Sequence, residues 1–263
     1  MKKISAILLA TGLLTACQEH DKKVEVKYHD LKLDQLNGDI TAIQETPYKT
    51  DSTGKPGAPD SCCSVYMELD ANGNYIRYTE KDNKDSIQSQ TTNTHYPDGM
   101  FKGYVQTKKG KPASSLETMI NDKGEYTMAI EYDSTGKTHR VYKNITQNEN
   151  AQVKSWKEYD TDSVFHQEAT ITYDKGLQQT FVLKDSVGKL KNDVRYTYND
   201  KGELSSENNT TVTKDSTTKK MTQYTYDAHD EKGNWTQRTE LDEKGKPVKI
   251  VKRVYTYKKE EKN

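Results

Sequence analysis

The chain has 263 residues, 31% of them hydrophobic and 30% charged, with 40 basic side chains against 40 acidic ones and a mean hydropathy of −1.07. So little apolar material excludes a deep two-layer core, and electrical neutrality without a basic block leaves no electrostatic footprint for nucleic acid or for anionic lipid. Disorder is a poor reading too, because disordered chains lack aromatics and carry a large net charge, whereas this one has 18 Tyr and a net charge of zero.

At the N-terminus, Lys2 and Lys3 precede an apolar run from Ile4 to Leu14, and small residues lead to a cysteine. This predicts a secretory signal over 1–16; the run is too short to cross a bilayer, which needs about 20 apolar residues. The tetrad Leu14-Thr15-Ala16-Cys17 resembles the lipobox of bacterial lipoproteins. The resemblance implies diacylglycerol transfer to the Cys17 thiol, cleavage before it and acylation of the new terminus, a stable membrane anchor. Residues 17–37 then read as a charged tether. In Gram-negative lipoproteins an acidic residue after the cysteine marks inner-membrane retention; Gln18 favours the outer membrane, and Glu19 and Asp21 are compatible with surface export in Bacteroidota.

Cys62 and Cys63 are adjacent. In an oxidising compartment they either close a strained vicinal disulfide or stay free in a loop. His20, His29, His95, His139, His166 and His229 show no metal-ligand spacing, and no metal or other cofactor is expected.

From residue 38 onward the chain is periodic. Turn glycines at 73, 99, 124, 176, 202 and 233 are separated by 26, 25, 52, 26 and 31 residues, and the doubled step leaves a vacancy near 150, within Gln-Asn-Glu-Asn-Ala (147–151). A second series interleaves at the same interval, through Asp-Ser-Thr-Gly (51–54 and 133–136), Asp-Ser-Val-Gly (185–188) and Asp-Glu-Lys-Gly (242–245), with glycine-free members at 82–85, 160–163 and 214–218. Asp, Asn and Gly are turn formers by geometry, since glycine takes positive φ freely and Asx side chains bond their own backbone two residues on. Between turns the apolar residues alternate, as in Tyr126, Met128, Ile130 and Tyr132, or Leu190, Val194, Tyr196 and Tyr198. Period-2 alternation predicts half-buried strands, and the intervals are too short for crossover helices.

The expected fold is therefore all-β. It is an antiparallel meander of about sixteen strands over 38–258, two per 26-residue repeat, forming a single-layer sheet either twisted and open or rolled up, with a charged tail at 259–263. The Lys-rich last strand suits a protected sheet edge.

The segments Tyr-Thr-Tyr-Asn-Asp-Lys-Gly-Glu-Leu (196–204), Tyr-Asp-Ala-His-Asp-Glu-Lys-Gly-Asn-Trp (226–235) and Leu-Asp-Ala-Asn-Gly-Asn-Tyr (69–75) resemble the YD repeats of Rhs-type proteins. They are more similar still to the tandem-hairpin lipoproteins of Bacteroidota. The resemblance implies architecture and an envelope address, not an activity. No nucleophile elbow, phosphate loop or calcium loop stands out, so the chain is read as non-enzymatic. It would be a lipid-anchored envelope protein whose sheet is a binding or scaffold surface for a glycan or a partner protein; an enzyme acting on a surface polymer and a structural spacer are the rivals. Tyr196, Tyr198, Tyr224, Tyr226 and Trp235 are the candidate binding aromatics, although core packing explains them as well. The Asp-Ser-(Thr/Ile/Val) triplets at Ser52, Ser86, Ser134, Ser163, Ser186 and Ser216 resemble the O-glycosylation signal of Bacteroidota secreted proteins; turn preference alone would also place them there.

Overall fold

The computed structural model describes residues 26–51, 54–60 and 63–259. The signal and lipidation features at 1–17, Ser52 and Cys62 lie outside the described residues; Cys63 is described and is disulfide-bonded.

Among the described residues, one short helix and seventeen strands follow in order: α1 (Asp30–Leu33), β1 (Ile40–Thr50), β2 (Pro56–Pro59), β3 (Ser64–Leu69), β4 (Tyr75–Lys81), β5 (Ile87–His95), β6 (Phe101–Lys108), β7 (Lys111–Ile120), β8 (Tyr126–Asp133) and β9 (Thr138–Gln147). The remainder are β10 (Val153–Tyr159), β11 (Phe165–Asp174), β12 (Leu177–Asp185), β13 (Leu190–Tyr198), β14 (Leu204–Val212), β15 (Thr217–His229), β16 (Trp235–Leu241) and β17 (Pro247–Tyr257). From β3 to β17 each strand pairs antiparallel with the next.

The turns are built as the Asx and glycine spacing requires. At 70–74 the Asp70 amide donates to the Asn74 carbonyl at 2.9 Å, and Asp70 Oδ1 accepts from the amides of Asn72 and Asn74 at 2.8 and 2.9 Å. Gly73 follows at φ 79. The same pair of side-chain bonds recurs at Asn121, Asp185, Asn199 and Asp242. In three of the turns without glycine, Asp85, Ala151 and Ser163 take the positive φ, and the turn near 150 is formed by Gln-Asn-Glu-Asn-Ala as the repeat requires. Next to these turns the pairing slips by one residue, as between Met119 and Ile120. Such bulges deepen the right-handed twist and help a sheet to close.

Closure is complete. β1 pairs with β17 on one side, Ile43 opposite Tyr255, and with β3 on the other, Ile43 opposite Met67, which makes a sixteen-strand barrel; β2 is a short extension paired to the end of β1. The open sheet is thereby overturned, and β17 is not an edge. Of its two lysines, Lys252 faces outward, and Lys249 faces inward, where it meets Glu240 at 3.0 Å. The bulges also correct the reading of β8. Ala129 pairs with Tyr142 and Glu131 with Arg140 on the inner face, which turns Met128 and Ile130 outward.

The outer face carries charge along its length, including Arg77, Lys157, Glu168, Lys191 and Arg195. A lipid-facing barrel needs an apolar band there, where each Lys or Arg at the midplane costs roughly 2–4 kcal/mol. This outer face belongs in water.

Inside, among the described residues, five tyrosines bond back to the preceding hairpin. The hydroxyls of Tyr173, Tyr198, Tyr226 and Tyr255 donate to the carbonyls of Val153, Gln178, Leu204 and Trp235 at 3.0, 2.7, 3.0 and 3.0 Å, and Tyr126 reaches Phe101 at 3.0 Å. Each bond spans one repeat and is worth about 1 kcal/mol net. The densest apolar packing lies at the seam and one mouth, where Leu31 joins Ile40, Ile43, Met67, Leu69 and Tyr75.

Candidate functional site

That mouth is the one bounded by the first turn series, and the N-terminal segment closes part of it. Residues 26–37, expected within a tether, are docked. The amides of Lys27 and Tyr28 donate to the Asp98 carbonyl at 2.8 and 3.2 Å, and that of Leu31 to Gly73 at 3.1 Å. A one-turn helix is not stable by itself. Here α1 is held by the burial of Leu31, worth about 1.5–3 kcal/mol, and is ended by Gln35 at φ 55.

Two asparagines clamp the plug at its ends. Each follows the glycine of a first-series turn and each is almost fully buried: Asn74 at 1% and Asn234 at 3% exposure. Asn74 Oδ1 accepts from the Asp30 amide at 3.3 Å; Asn234 accepts from the Asn37 amide at 2.8 Å and returns a bond to the Asn37 carbonyl at 2.9 Å. Asp30 and Asp34 complete the docking, accepting from the amide and the hydroxyl of Tyr75 at 2.8 and 2.7 Å. His95 faces Asp30 at 3.7 Å.

Burial pushes the Asp34 carboxyl above its ordinary range, and the opposing Tyr75 bond and Arg253 charge do not cancel it; Asp30 is raised for the same first reason. A raised pKa means that the docked plug binds the proton more tightly than the free chain. Its contribution is therefore full below the ordinary carboxylate value and is lost as pH rises through the raised one. Amide protection of Leu31 and Leu36 should be higher at mildly acidic pH than at neutrality. Asp34→Asn, which keeps an acceptor for Tyr75 without the charge, should hold the higher protection at pH 7 in hydrogen-exchange measurements.

Between the plug and the strand ends across the mouth lies a cavity of about 1020 Å³, large for a small-molecule site. It reaches the rim at Gly176, Gly202 and Gly233. Its walls combine the rings of Tyr78, Tyr173, Tyr198, Tyr226 and Trp235 with the hydrogen-bonding side chains of Asn93, Gln152, Gln178 and Lys201. Burial pushes Tyr198 up to about 12 and raises Tyr226, with Arg238 partly offsetting the latter, so these hydroxyls stay protonated donors. Arg238 and Arg253 lie over the Trp235 ring, 5.0 and 4.0 Å from its centre, a cation–π arrangement. Arg253 is bonded to Glu45 of β1 at 2.6 Å, and His229 to Glu203 at 2.5 Å.

Of the predicted binding aromatics, Tyr198, Tyr226 and Trp235 are thus brought together in the cavity wall. Tyr196 and Tyr224 point inward from the same strands but lie outside the lining. Trp235 already carries two guanidiniums and is a wall rather than an open platform. Ser86, Ser134, Ser163, Ser186 and Ser216 are exposed in the turns of the opposite rim. Sequence reasoning missed the two clamping asparagines and the paired arginines. The former had a signal, the Gly-Asn step shared by 73–74 and 233–234.

Fold and site together define a closed antiparallel barrel of hairpin repeats with one mouth partly filled by its own N-terminal segment. No protein-family profile matches the sequence, and a search of curated proteins finds no match. Among solved structures, the chain is similar to a porin-like protein from Bacteroides uniformis, with a TM-score of 0.52 and 15% identity over 82% of this chain and 98% of that one. A porin-like protein from Bacteroides vulgatus aligns at 0.37, with 13% identity over 84% and 99% of the two chains. A Photorhabdus luminescens Tc holotoxin pore aligns at 0.32 with 13% identity, over 79% of this chain but 11% of the toxin chain. The first of these carries structural weight, and what it supports is the barrel.

Proposed function

We propose that the protein is a non-enzymatic, lipid-anchored component of the cell envelope that binds an oligosaccharide in its plugged mouth. The observation that carries this reading is the cavity: ring faces beside amide and charged side chains, the mixture that suits sugars, opening at the rim through glycines. The hydrophilic outer face supports residence in an aqueous compartment. Val26 lies nine positions after Cys17, so a lipid on Cys17 would hold the plugged mouth within about 30 Å of the membrane surface. A protein partner on the barrel surface is the second use this architecture allows.

One preparation from the native host tests the proposal. Its intact mass should show the loss of 1–16 and the gain of acyl chains on Cys17, and would also read any glycan on the Asp-Ser turns. Probed on an oligosaccharide array in detergent, the full chain should bind a defined subset. Turnover of an arrayed polymer would favour an enzyme, and silence a spacer.

A further inference from the structure

The outward rows of the wall are mostly polar. On β13 and β14, for example, Asp193 faces Thr210, Arg195 faces Asn208 and Thr197 faces Ser206. The stretch from β6 to β11 departs from this. Val105 on β6, Met119 on β7, Met128, Ile130 and Tyr132 on β8 and Val141 on β9 all point outward, and the register joins them, with Met119 opposite Met128 and Ile130 opposite Val141. Val105 is 57% exposed and Met119 38%. The Ile130 row continues to Tyr159 on β10, opposite Val141, and to Phe165 on β11, the two rings lying 5.6 Å apart. Lys143 and Lys157 lay their stems along it, with Nζ 5.3 and 5.4 Å from the centres of the Tyr159 and Phe165 rings. Single exposed apolar side chains are ordinary, but a joined patch across six strands, roughly 25 Å wide and 15 Å along them, marks a contact surface. It occupies one sector of the wall, so it is not a membrane-spanning belt.

The N-terminal segment indicates what the patch meets. Lys27 and Tyr28 are bonded to Asp98 in the turn between β5 and β6, so the chain arrives at the rim where the patch begins. The Met119–Met128 pair is the row nearest that rim. We infer that the patch seats on the lipid bilayer, so that the barrel lies on its β6–β11 side next to its own anchor. The inference rests on the acylation of Cys17 proposed above and adds an orientation to it. With Cys17 in the membrane and Val26 nine positions later, this sector of the rim stands no further off than about 30 Å. So small an apolar area binds lipid weakly by itself, but next to an anchor the contact is intramolecular and the effective concentration high. The rings and methionines would enter the boundary between head groups and acyl chains, and the long stems of Lys143 and Lys157 would let their ammonium groups turn to lipid phosphates.

The test places a bimane fluorophore on the full acylated chain at Val105→Cys, at Val141→Cys and, as the comparison, at Arg195→Cys on β13. Cys63 is disulfide-bonded and does not compete for the label; the unsubstituted chain carried through the same labelling gives the background. Each protein is reconstituted into vesicles of phosphatidylethanolamine and phosphatidylglycerol, with or without bromine on the acyl chains near the head group. Brominated lipid should quench the labels at 105 and 141 and spare the one at 195. Met128→Asp together with Ile130→Asp should abolish the quenching at 141 and leave flotation with the vesicles unchanged. A chain that floats but shows no more quenching at 105 and 141 than at 195 would overturn the inference and leave the anchor standing; a cross-linked pair of chains in that sample would assign the patch to a second copy. A chain that does not float would remove the anchor, and this inference with it. The three labels sit on exposed or half-buried outward positions of an otherwise unaltered barrel, so the comparison is decisive even if the double aspartate variant folds poorly.

Discussion

Arg253→Met should destabilise the barrel by about 3–5 kcal/mol, because removing one partner of a buried ion pair leaves the other charge uncompensated. Arg253 and Glu45 are both largely buried, at 17% and 22% side-chain exposure, and they join β17 to β1 across the seam that closes the barrel. Burial works against the charge of Arg253, but Glu45 and the Tyr255 hydroxyl more than offset it and hold its pKa above the ordinary arginine value. The substitution also removes the guanidinium from the Trp235 ring. Against a typical net stability of 5–15 kcal/mol, such a loss should show as a clear drop in the midpoint of urea unfolding. The double variant Arg253→Met with Glu45→Gln should recover much of it, since no lone charge remains. Equal loss in the single and double variants would show that the seam does not depend on this pair.

The second large effect concerns the plug. Gly99 has φ 90, and a Cβ there would stand 2.2 Å from the Tyr28 carbonyl oxygen. Gly99→Ala therefore costs roughly 1–2 kcal/mol in left-handed backbone strain. It must also push away a backbone atom, with the loss of the two bonds from Lys27 and Tyr28 to Asp98, each about 1 kcal/mol. The expected result is undocking of residues 26–30 with the barrel intact. Exchange of the Tyr28 amide should quicken by about two orders of magnitude, as loss of about 3 kcal/mol implies, while strand amides in β11–β13 keep their protection. Loss of protection throughout would mean that the plug is integral to closure and not an attachment to it.

The sequence made the turns legible because a positive φ and an Asx side-chain bond leave few residue choices, so Asp-x-x-Gly marks a bend wherever it occurs. Alternation gave the strands, and on β13 it gave the correct inner face, with Val194, Tyr196 and Tyr198 pointing in. On β8 it failed, because the one-residue slip beside Tyr126 exchanges the faces and a bulge leaves no mark on the apolar pattern. Closure was undecided for a different reason. Whether β17 is an edge depends on β1, more than 200 residues earlier, and nothing local in Ile40–Thr50 announces a partner. The plug reads as tether because its stretch is charged and holds no long apolar run. What fixes it are contacts to distant turns, through Asn74 and Asn234, and the packing of Leu31 and Leu36 into the cluster at the mouth.

The tyrosine stitches make the width of this tube a countable quantity. Five of the hairpins are bonded to the one before by the same hydroxyl-to-carbonyl link, so a copy inserted among them would find its neighbours ready to receive it. Every added pair of strands would lengthen the circumference by about 10 Å without disturbing the seam. Duplication or loss of one unit would then resize the bore in whole steps, and the plug, made to one diameter, would be the part that has to be recut.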